Sequence, residues 1–83
     1  MWKETLMYHR MIEDYLTYYQ PDLKTELISN QELAAYIARQ EQAMITARVQ
    51  LLAQLQEKEP HLSQWQREME ADQTVREVFL PMG

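Results

Sequence analysis

NQELAAYIARQEQAMITARVQLLAQLQEK, residues 30–58, is the stretch that decides the fold. It holds no Gly and no Pro, so nothing in it interrupts a helix that would run about 43 Å at 1.5 Å per residue. Advancing 100° per residue places Leu33, Ile37, Met44, Leu51 and Leu55 on one stripe. Ala34, Ala38, Ile45, Val49 and Leu52 form a second ridge beside it. The apolar face is therefore wider than a single neighbouring helix covers.

Signals on either side bound this helix. Upstream, Ser29-Asn30-Gln31-Glu32 has the capping-box pattern, in which a hydroxyl and a carboxylate satisfy amides at a helix start. Downstream, Pro60 closes it. The segment before it separates cleanly on a helical wheel. Met7, Tyr8, Met11, Ile12, Tyr15, Leu16, Tyr18 and Tyr19 share one half, while Lys3, Arg10, Glu13, Asp14 and Thr17 share the other. This predicts a helix near residues 3–19, stopped before Pro21. Residues 21–28, with Pro at a first helical position, read as a short extra helix connecting the two.

A third helix is expected over residues 61–80, starting at Pro60 or at Ser63, where Ser63-Gln64-Trp65-Gln66 repeats the capping-box pattern. Leu62, Trp65 and Met69 share a face, but Asp72, Gln73 and Arg76 fall where that stripe would continue. The pattern predicts a break near Asp72, with Asp72 capping a last short helix that ends before Pro81. The resulting expectation is all-α: a small helical bundle of three main helices around a long central amphipathic one, in a single domain spanning residues 1–83.

Composition agrees. The chain is 46% hydrophobic with one Gly and three Pro, which leaves little turn material for a sheet. A chain of 83 residues buries only about 60% of its unfolded surface. With no Cys it has no disulfide staple and no thiolate zinc site, and the expected location is cytoplasmic. No run approaches the roughly 20 apolar residues of a membrane span, and the opening residues lack the apolar core of a signal peptide.

The net charge of −5 has the wrong sign for neutralising phosphates, so direct nucleic-acid binding is disfavoured. The acids are dispersed, and ten Gln make the polar faces rich in amides. His9 and Glu13 stand four apart, but a metal needs three or four ligands and His61 has no such neighbour; no metal or cofactor is expected. A Gly-rich phosphate loop and a serine elbow are both missing from the chain, and adjacent Glu13 and Asp14 point about 100° apart on a helix. We therefore expect no enzyme and no small-molecule substrate. The tyrosine stripe of the first helix is interleaved with Met, Ile and Leu, as in a core or protein interface and unlike a base-stacking platform. Gln31 to Ala38 resembles the first helix of a helix-turn-helix, yet no turn residue follows between Ala38 and Met44.

Glu41 and Arg48 project into the middle of the wide apolar face. Seven apart, they are too far to pair on one helix. An antiparallel copy centred between Met44 and Ile45 would set each Glu41 opposite the partner's Arg48, and Ile37 opposite the partner's Leu52. The sequence thus points to a non-enzymatic protein-interaction module. It is expected to self-associate as a dimer, or to bind another protein, through Ile37, Glu41, Met44, Ile45, Arg48, Leu51, Leu52 and Leu55. The alternative is a small acidic regulator or inhibitor acting on nucleic-acid machinery.

Overall fold

The computed structural model describes the backbone of residues 2–81 and the side chains of residues 8–81. The described residues form four helices: α1 (Trp2–Tyr19), α2 (Pro21–Ser29), α3 (Leu33–Lys58) and α4 (Gln64–Phe79). The all-α fold with a long central helix is the one the sequence predicts. The chain divides into two compact units, Met1–Ala43 and Met44–Gly83, at a boundary inside the uninterrupted α3.

In the first unit, α1 buries Tyr8, Ile12 and Leu16 at steps of four, which keeps all three on one face of the helix. Full burial of a side chain of this size contributes roughly 1.5–3 kcal/mol. The covered stripe is narrower than the apolar half read from the sequence, because Met11 and Tyr15 are half-buried and Tyr18 and Tyr19 are exposed. Met7 lies outside the residues whose side chains are described. Helix α2 forms where a short helix was expected, with Pro21 in its first turn and Asp22 favourably placed at its positive end. It buries Leu27, and Lys24 Nζ donates to Thr17 Oγ1 of α1 at 2.7 Å.

The α2–α3 junction corrects one sequence expectation. Ser29 does not cap α3, because it is the last residue of α2. Gln31 turns the chain with φ 57, and the Gln31 and Glu32 amides donate back to the Ile28 and Leu27 carbonyls at 3.0 and 2.8 Å. That is the Schellman arrangement, in which a left-handed residue satisfies two carbonyls of the helix it ends. The helical ladder of α3 opens one turn later, with Tyr36 N–H donating to Glu32 O. The helix therefore starts at Leu33 and not at Asn30, and its 26 residues span about 39 Å.

In the second unit, α4 starts as the sequence predicts. Ser63 Oγ accepts from Gln66 N–H at 3.1 Å, and Gln66 Oε1 accepts from Ser63 N–H at 2.9 Å. Arg67 also donates to the Leu62 carbonyl before the cap. The expected break near Asp72 does not occur, since α4 continues to Phe79. Its buried residues are Ala71 and Val75, one turn apart, while Trp65 and Met69 are exposed. Asp72 pairs with Arg76 at 2.7 Å along the helix instead of capping a new one. Projecting the stripe from Leu62, Trp65 and Met69 followed the wrong face; the covered one is marked by a small Ala.

Candidate interaction surface

Helix α3 carries all eight residues singled out in the sequence, and the fold treats them in two groups. Ile37, Glu41 and Met44 are covered within the chain, at 2%, 7% and 0% exposure. Ile45, Arg48, Leu51, Leu52 and Leu55 are half-buried.

Glu41 is the buried charged residue among the described side chains of the first unit. Its Oε2 accepts a hydrogen bond from the backbone N–H of His9 at 2.9 Å, which ties α1 to α3. A carboxylate accepting a backbone N–H makes a charge-assisted bond, stronger than a neutral one. Glu41 is thus engaged inside its own chain. His9 contributes its amide to this contact, and its side chain is exposed.

The second half of α3 is different. Arg48 is half-buried, and its Nε is shielded from solvent with no hydrogen-bond partner. Leaving a buried donor unsatisfied costs about 1–3 kcal/mol. Around it Ile45, Leu51, Leu52 and Leu55 remain partly open, and Val49 is 58% exposed. On α4 of the same unit, Trp65, Met69 and Val78 are also exposed. Val49 belongs to the second ridge visible in the sequence. The exposure of Trp65 and Met69 was not legible there, because their apolar character and helical spacing are those of core residues.

The other chemical readings can be placed on the structure. Among the described residues no group of three or more His, Asp or Glu is arranged to hold a metal ion. The tyrosines of α1 do not make one platform: Tyr8 is buried, while the Tyr15 and Tyr19 rings stack on each other with centroids 5.1 Å apart. Helix α3 passes through residues 38–44 without a turn, so the helix-turn-helix geometry is absent. No helix among the described residues is long and apolar enough to cross a membrane. Comparison with protein-family models, with curated proteins and with solved structures finds no match for the chain.

Proposed function

We propose that the chain is a non-enzymatic protein-interaction module that self-associates through the second half of α3. The observation that carries this reading is Arg48, whose Nε is shielded and unpartnered on a stripe where Ile45, Leu51, Leu52 and Leu55 stay half-open. Such a stripe combines incompletely buried apolar surface with a donor that an incoming chain can satisfy. Helix-on-helix docking uses this combination of anchors at helical spacing with a polar group that sets position.

The reading is tested by the mass of the full chain in solution, from light scattering behind a sizing column at rising concentration and at low and high salt. The expected result is growth from one chain to two, largely preserved at high salt because apolar contact dominates. Leu52→Lys is expected to hold the chain at the single mass. A single-chain mass at every concentration would overturn self-association.

A further inference from the structure

In the second unit, most half-buried charged side chains have partners. Arg67 donates to the Leu62 carbonyl, Glu68 accepts from Gln64 Nε2 at 3.0 Å, and Asp72 pairs with Arg76. Two do not: Arg48 and Glu59 are half-buried and neither makes a side-chain hydrogen bond or ion pair. Glu59 still belongs to the helical ladder, since its N–H donates to Leu55 O at 2.8 Å. Eleven residues separate the two, so their positions differ by about 20° around the helix and about 16 Å along it. They share a stripe but are too far apart to pair within one chain.

Between them on that stripe lie Leu52 and Leu55, giving the order Arg48, Leu52, Leu55, Glu59 at steps of four, three and four. That spacing is the seam pattern of paired helices. It is also self-complementary: reversing the helix about the midpoint of Leu52 and Leu55 exchanges those two leucines and exchanges Arg48 with Glu59. We propose that the occupant of this stripe is a second copy of the chain, antiparallel about a two-fold axis at that midpoint. Leu52 packs on the partner's Leu55, and Arg48 pairs with the partner's Glu59 at both ends. This assignment rests on the self-association proposed above and specifies its register. It leaves the Glu41 contact with His9 intact and, unlike the Glu41–Arg48 register predicted from the sequence, does not call on the buried Glu41. A seam of three turns is short against the roughly 800 Å² per partner of a standard interface, so the dimer should be concentration-dependent.

The charges supply the test, because the two single reversals are complementary to each other. Arg48→Glu alone sets acid against acid, and Glu59→Arg alone sets base against base. Mixed, each chain offers what the other lacks at both ends of the seam. Sedimentation of the full chain should show each variant weakening its own dimer at least about tenfold. An equal mixture should restore dimer to within about threefold of the unsubstituted chain. Circular dichroism establishes that each variant keeps its helices, and Glu59→Gln, which removes charge without reversing it, should fall between. A dimer indifferent to both reversals would overturn the register and leave self-association standing, as would a mixture that fails to rescue. A chain that never dimerises would overturn both.

Discussion

The backbone N–H of His9 and the carboxylate of Glu41, 32 residues apart, form a 2.9 Å hydrogen bond that fastens α1 to the first half of α3. A charged side chain in the middle of an apolar face thereby becomes part of the chain's own interior. Ile37 and Met44, also covered, lie one turn to either side of Glu41 on the same helix.

Removing that acceptor should loosen the first unit. Glu41→Ala leaves a cavity and deprives the His9 amide of its carboxylate, an expected loss of about 1–3 kcal/mol. Glu41→Gln keeps an acceptor at the same reach and should lose less. Urea unfolding followed by circular dichroism measures both; equal losses for Ala and Gln would argue that the bond contributes nothing beyond side-chain volume.

Gln31 occupies the left-handed region at the α2–α3 turn, with φ 57. A side chain there is strained and Gly is not, although Gly also loosens the unfolded chain. Gln31→Gly should be stabilising by about 0.5–1 kcal/mol and Gln31→Val destabilising by at least as much. The midpoint of thermal unfolding should move in opposite directions for the two variants; movement in the same direction would contradict the turn geometry.

The reciprocal bonds between Ser63 and Gln66 start α4. Ser63→Ala should cost about 1 kcal/mol, and Ser63→Asp should recover most of it. Amide hydrogen exchange gives a local readout, with the first turn of α4 losing protection before the rest of the helix. Unchanged exchange in that turn would show the cap to be dispensable.

Ala71 and Trp65 give opposite expectations from what their sizes suggest. Ala71 is 1% exposed, so Ala71→Leu overfills its site at about 1–3 kcal/mol. Trp65 is 67% exposed, and Trp65→Ala should change the stability of the single chain by about 0.5 kcal/mol or less. Denaturant midpoints at a concentration where the chain is single decide between the faces of α4. A large loss for Trp65→Ala with little for Ala71→Leu would mean that the helix is turned the other way.

Much of the architecture was readable from short-range signals. Pro21 at the head of α2, the Ser63–Gln66 box at the head of α4 and the unbroken run that becomes α3 act within about one helical turn, where a helix start or stop is settled. The same locality explains the failures. Ser29 fits a capping box as well as it fits the last turn of α2, and the Gln31 conformation that decides between them carries no Gly to announce it. Asp72 fits an N-cap as well as a half-buried partner for the exposed Arg76.

Sequence alone determined that the chain is helical and where most of its helices lie, because propensity, capping and proline act over a few neighbouring residues. Only the tertiary structure decided which faces are filled. It buried Ala71 and Val75 while leaving Trp65 and Met69 open, and it engaged Glu41 while leaving Arg48 and Glu59 without side-chain partners. Burial depends on groups brought together across dozens of residues, as His9 is brought to Glu41. A helical wheel records the direction of each side chain and says nothing of what arrives to cover it.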